Sequence, residues 1–193
     1  FGIDLAVQNR TGQGYGLYFA LMNLTYIFQI LNDFGIQSFN NRHISQHPQL
    51  LPKYFPNLLA FKVLLSVVYV FVSLTLAWTM RYDNQALLLL LILLVNQVLI
   101  QMIFFLRSNI SGLGHYRIDS VLSSMDKLLM LFSCGLLLWT HPPGQTLHIE
   151  AFALAQTIPL ALTALIAFGI LRSKVRFRVR PSWASNWRSG YPM

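Results

Sequence analysis

Charge is scarce in this chain. Only 10% of its 193 residues are charged and 55% are hydrophobic, whereas a soluble globular domain carries about 25% charged residues. That deficit excludes an ordinary soluble enzyme. Acidic residues are scarcer still: six Asp and Glu stand against fourteen Lys and Arg, for a formal net charge of +8. Six of the basic residues (Arg172, Lys174, Arg176, Arg178, Arg180 and Arg188) fall in the last 22 positions, and the remainder of the chain is only +2. Basic residues that trail an apolar run, with no motif to present them on a folded face, give no reason to expect a nucleic-acid partner. They flank a membrane instead. Cysteine is limited to Cys134, so no disulfide forms within the chain. The first residue is Phe1 rather than Met, and the charged, apolar and cleavage-site succession of a signal peptide is missing. The chain therefore reads as a piece of a longer protein.

Catalytic motifs are missing too. His43 and His47 are spaced i, i+4, but no Glu follows the first His as a zinc-protease helix requires. Gly12, Gly14 and Gly16 lack the surrounding βαβ pattern of a phosphate-cradling loop and suit a turn at a span boundary. No Ser/His/Asp set can be assembled around any serine, and Cys134 sits in an apolar run. No catalytic residue, metal or cofactor is expected.

What the sequence does have is length in its apolar runs. A helix rises 1.5 Å per residue and the hydrocarbon core is about 30 Å thick, so about 20 apolar residues cross it. Leu58 to Trp78, Ala86 to Leu106, Val121 to Trp139 and Ala151 to Leu171 qualify. Leu17 to Phe39 is expected as a fifth span on its recurring aliphatic and aromatic residues, although Asn23, Asn32 and Asp33 interrupt it. Residues 1 to 8 read as the end of a span that began upstream. The connections are expected at 12–16, 40–57, 81–85, 108–120 and 141–150, where Gly, Pro and polar residues gather. The fold class is thus all-α, a polytopic transmembrane helix bundle of about five spans.

Cytoplasmic loops of membrane proteins carry an excess of Lys and Arg. Alternate connections here divide ten basic residues (among them Arg42, Lys53, Arg107, Arg117 and the six of the tail) from two, Arg10 and Arg81. The basic side, including the C-terminal tail, is expected in the cytoplasm. Residues 1–171 form a helical lobe, and residues 172–193 form a basic tail or linker attracted to anionic lipids.

Polar groups at membrane depth face a bundle interior or a watery cavity. Asn96, Gln97 and Gln101 stand out, the last two one turn apart and so on one face. Asp33 and Arg42 lie toward the end of the Leu17 to Phe39 segment and just beyond it, and Arg107 ends the span that begins at Ala86.

Two stretches resemble a known family. The run Asn9-Arg10-Thr11-Gly12-Gln13-Gly14-Tyr15-Gly16-Leu17-Tyr18 is similar to the turn between the first two helices of polysaccharide flippases, where Leu-Gly-x-x-x-Tyr-Gly-x-Tyr is usual, with Thr11 standing where Leu is commonest. Ile30-Leu31-Asn32-Asp33-Phe34-Gly35-Ile36, followed by Asn41-Arg42-His43, resembles the ending of their second helix. The family comprises lipid-linked oligosaccharide flippases, O-antigen flippases among them, of the multidrug/oligosaccharidyl-lipid/polysaccharide exporter superfamily. Its members have 12 to 14 helices in two lobes, and the spacing here resembles helices two to six of the N-terminal lobe, so the second lobe would lie outside this chain. The resemblance implies transport of an undecaprenyl-diphosphate-linked oligosaccharide across the bacterial inner membrane by alternating access, with no covalent chemistry. Asp33, Arg42, Asn96, Gln97, Gln101 and Arg107 are the candidate substrate-binding residues, with amides for sugar and Arg for diphosphate. A cation-coupled drug antiporter of the same superfamily and a membrane-embedded glycan polymerase or ligase are the alternatives. The first needs a deep acidic residue, and the second a large extracytoplasmic loop.

Overall fold

The computed structural model describes residues 7–8, 11, 13–46, 51–140 and 148–174. All six elements within them are helices: α1 (Gln13–Asp33), α2 (Ile36–Gln46), α3 (Leu51–Thr79), α4 (Asn84–Gly112), α5 (Tyr116–Thr140) and α6 (Ile149–Lys174). Four of them, α3 to α6, are long and apolar enough to cross a membrane, and they contain the four uninterrupted apolar runs.

The Leu17 to Phe39 segment departs from the single span expected of it. It is broken between α1 and α2 at Phe34 and Gly35, with φ of 44° and 75°. A left-handed turn costs glycine nothing but strains Phe34. The Phe34 amide still donates to the Ile30 carbonyl (3.0 Å), so the helix closes its last turn before the break. Two connections are also shorter than expected. Helix α4 runs on to Gly112 and α5 begins at Tyr116, leaving a three-residue turn, while α2 and α3 take up most of the stretch from Asn40 to Asn57. Gly14 and Gly16 lie in the first turn of α1 rather than in a connection. Positions 47–50 and 141–147, and the tail beyond Lys174, are outside the described residues.

Helix α4 is the axis of the bundle. It packs most extensively on α6 and also meets α1, α2, α3 and α5. Leu89, Leu90, Leu93 and Leu94 form its upper core with Tyr18, Leu21, Tyr69 and Phe152; Phe105, Leu106 and Ile110 form the lower one with Ile44, Phe55 and Leu171. Gly112 lets α2 approach, since a Cβ there would stand 2.9 Å from Ile44 Cγ2. Pro159 inside α6 has no N–H for the Ala155 carbonyl. The Ser133 hydroxyl of α5 donates to that freed oxygen at 2.6 Å, the kind of replacement a proline needs in hydrocarbon.

Consecutive long helices alternate in direction. Arg42, Arg107, Arg117 and Arg172 consequently gather at one end of the bundle and Arg81 lies at the other.

Candidate functional site

The polar side chains form three separate groups. The first runs down the seam between α1 and α3. Lys62, Ser66, Tyr69 and Ser73 recur at intervals of four, three and four, so they share one face of α3, and all four are buried. Tyr69 donates to the Thr25 carbonyl at 3.1 Å. Ser66 Oγ lies 2.9 Å from both the Lys62 carbonyl and Asn32 Oδ1. One hydroxyl proton serves one acceptor, so turning the Asn32 amide over brings its Nδ2 to Ser66 and lets Ser66 donate to the Lys62 carbonyl. At the foot of the seam the Lys62 ammonium donates to the Asn32 carbonyl at 2.7 Å and faces Asp33 Oδ1 at 3.4 Å. Its side chain is only 2% exposed, against 29% for Asp33.

This arrangement has an electrostatic logic. A carboxylate at a helix C-terminus meets the negative end of the dipole. Lys62 answers both charges at once, binding the Asn32 carbonyl in the last turn of α1 and the Asp33 carboxylate. It lies four residues inside the apolar run that begins at Leu58, about 6 Å at 1.5 Å per residue, and is buried among side chains where an unpaired charge is costly.

The second group joins α4 to α6. Asn96 Nδ2 donates to the Ala153 carbonyl (3.0 Å), and Thr157 donates to Asn96 Oδ1 (2.7 Å). Both ends of the Asn96 amide are therefore used between helices. Gln156 Nε2 adds a link to the Tyr18 hydroxyl at 3.3 Å.

The third group is a groove. A depression of 470 Å³ between the end of α1 and the middle of α4 is lined by Tyr26, Gln29, Asp33, Gln37, Gln101 and Phe104, with Ile30, Phe34 and Gly35. A second, of 270 Å³, is lined by Gln37, Ser38, Asn41, Phe104, Arg107, Ser108, Ser111 and Asp119. They share Gln37 and Phe104, so they form one furrow leading toward the basic end of the bundle. Gln101 Oε1 has no hydrogen-bond partner among the described residues, and neither has Gln97 Oε1 one turn above it. Arg107 Nε donates to Asp119 Oδ1 at 2.6 Å across the turn from α4 to α5.

The structure thus brings Asp33, Gln101 and Arg107 to one furrow. Gln97 continues the Gln101 face inward, Asn96 points to α6, and Arg42 is exposed on α2, one turn beyond Ser38. Lys62 and Asp119 were not expected as site residues. The polar positions 62, 66, 69 and 73 in an otherwise apolar run carried the signal for Lys62; Asp119 opens the polar start of α5, but nothing local signalled its pairing, because its partner lies on another helix.

Over residues 11–192 the chain matches the family described as polysaccharide biosynthesis protein. The chain belongs to that family. No curated protein and no solved structure gives a match. The polysaccharide biosynthesis family is associated with the making and transport of polysaccharides, and its members are typically transporters rather than enzymes. A multi-pass membrane protein in a setting of lipids and glycan-lipids accords with its four apolar helices. In that family context the furrow, polar and open at the basic end, is the candidate substrate path.

Proposed function

We propose that this chain is the N-terminal lobe of a flippase carrying an undecaprenyl-diphosphate-linked polysaccharide precursor, of the O-antigen kind, across the bacterial inner membrane by alternating access. The observation that carries the reading is the convergence of Asp33, Gln101 and Arg107 on one furrow along α4. A sugar head is bound by amides, carboxylates and aromatic faces, the chemistry of the inner depression. A diphosphate is bound by guanidinium and hydroxyl donors, the chemistry of the outer one. Residues 1–171 make the lobe; residues 172–193 follow it as a cytoplasmic basic segment leading to the second lobe, whose wall would close the furrow.

Asp33 beside Tyr26, Phe34 and Phe104 is the feature that favours a drug antiporter, since it could hold an organic cation. Lys62 neutralises that carboxylate from behind, which favours the flippase. The test is translocation of a fluorescent polyprenyl-diphosphate oligosaccharide in vesicles containing the complete transporter. Gln101→Leu and Arg107→Gln should each lower the rate at least about tenfold, the size expected when a buried hydrogen-bonding or charged contact to substrate is lost. Wild-type rates in both variants, with normal insertion, would refute the reading.

A further inference from the structure

The outer depression contains its own anion. Apart from Phe104 its lining is polar: three serine hydroxyls, the Gln37 and Asn41 amides, Arg107 and Asp119. All the polar groups but one can donate, and the exception is the Asp119 carboxylate, bound to Arg107 Nε at 2.6 Å. Neither partner of that pair is fully withdrawn from solvent, with exposures of 18% and 25%. Arg107 lies near the end of α4 and Asp119 in the first turn of α5, so the pair ties two helices together at the basic end of the bundle.

We infer that Asp119 is a stand-in for a phosphate-type oxyanion: it occupies Arg107 until an incoming diphosphate displaces it, and the exchange releases the first turn of α5 from α4. The inference rests on the diphosphate reading of the outer depression. The chemistry is a substitution of like for like. A carboxylate and a phosphate both offer oxygen pairs to a guanidinium fork. The phosphate, with more acceptor oxygens, can also take up the hydroxyl and amide donors that Asp119 cannot reach together. Once displaced, the carboxylate remains in the first turn of a helix, where the dipole favours a negative charge. The exchange therefore leaves no charge stranded. Competition by an internal anion weakens apparent affinity in proportion to the time the pair is closed. Closure nine-tenths of the time makes the apparent Kd about tenfold weaker than the intrinsic one.

Removing the internal anion should accordingly tighten binding. The experiment measures binding of inorganic pyrophosphate and, separately, of a polyprenyl diphosphate in nanodiscs, to the full chain and to its Asp119→Asn, Asp119→Ser and Arg107→Gln variants. The Asp119 variants should bind at least one of the two about five- to tenfold more tightly, and Arg107→Gln, alone or with Asp119→Asn, should lose the gain. Tightening with both ligands assigns the site to the diphosphate itself; tightening with the polyprenyl form alone assigns it to the lipid headgroup. Unchanged or weaker binding of both in the two Asp119 variants, with monodisperse protein, overturns the inference. That failure is separate from failure of the flippase reading: wild-type translocation with no gain in the Asp119 variants sinks only the stand-in, and a gain without translocation sinks only the flippase.

Discussion

Two faces of this bundle are built from similar helices and used in opposite ways. Between α1, α2 and the C-terminal half of α4 the surface is indented, and polar side chains line the indentation beside Tyr26, Ile30, Phe34 and Phe104. Along α5 it is apolar: Leu128, Phe132, Leu136 and Trp139 are 64%, 71%, 54% and 87% exposed, and with Leu131 they border a broad apolar depression. In water such a face would be an aggregation hazard. In lipid it is the ordinary outside of a protein, because hydrocarbon tails are as apolar as leucine and burial supplies no drive to cover it. The helices show the same division in their burial, with 44% of the apolar window of α4 buried against 17% of that of α5. What holds this bundle is therefore packing around α4 together with buried polar links, and among the residues that line the furrow Gln101 keeps an unpartnered oxygen.

The largest expected effect breaks the comparison from the inside. Asp33→Leu removes the carboxylate partner of a lysine that is almost fully buried, and stranding such a charge costs about 3–5 kcal/mol. Thermal unfolding in detergent should show that loss. Adding Lys62→Met should restore most of it, and an unchanged melting curve for Asp33→Leu alone would mean that Lys62 is solvated.

A smaller effect sharpens the contrast between the faces. Phe132→Arg places a guanidinium on the face assigned to lipid, at an insertion cost of about 2.5–3.5 kcal/mol near a span centre. Ser38→Arg places the same group on the exposed polar side of α2 and should leave membrane insertion at the wild-type level. Equal insertion of the two variants would contradict the division.

How much of this was legible in the sequence differs by element. The spans at α3 to α6 were legible because hydrocarbon thickness fixes their length. The polar face of Gln97 and Gln101 was legible because helical periodicity fixes which residues align. The break at Phe34 and Gly35 was not, since an apolar pattern continues through Ile36 and Phe39 and conceals it. Three contacts were invisible for one reason: Lys62 with Asp33, Ser133 with the carbonyl freed by Pro159, and Arg107 with Asp119 all join different helices, and apolar periodicity does not say which helices are neighbours. Asn96 carried the same ambiguity. Its type allowed either cavity lining or interhelical bonding, and only the position of α6 decides what it touches.

That last point gives the smallest predicted effect. Asn96→Leu removes two links between α4 and α6, each worth about 0.6 kcal/mol on average in a membrane bundle, so the variant should lose about 1 kcal/mol in reversible unfolding. A loss of transport with no loss of stability would move Asn96 from the packing to the furrow.

The central claim is that the furrow is open to water while the outer face of α5 is sealed by lipid. Cys134 is the single cysteine of the chain and is buried, so Cys134→Ser provides a background for introducing one thiol at a time. Cysteines at Gln37, Ser108, Leu128 and Phe132 can then be challenged in membrane vesicles with a membrane-impermeant maleimide applied from the basic side. Labelling at Gln37 and Ser108, with Leu128 and Phe132 inert, is the predicted result; labelling of the α5 positions with an unreactive furrow would contradict it.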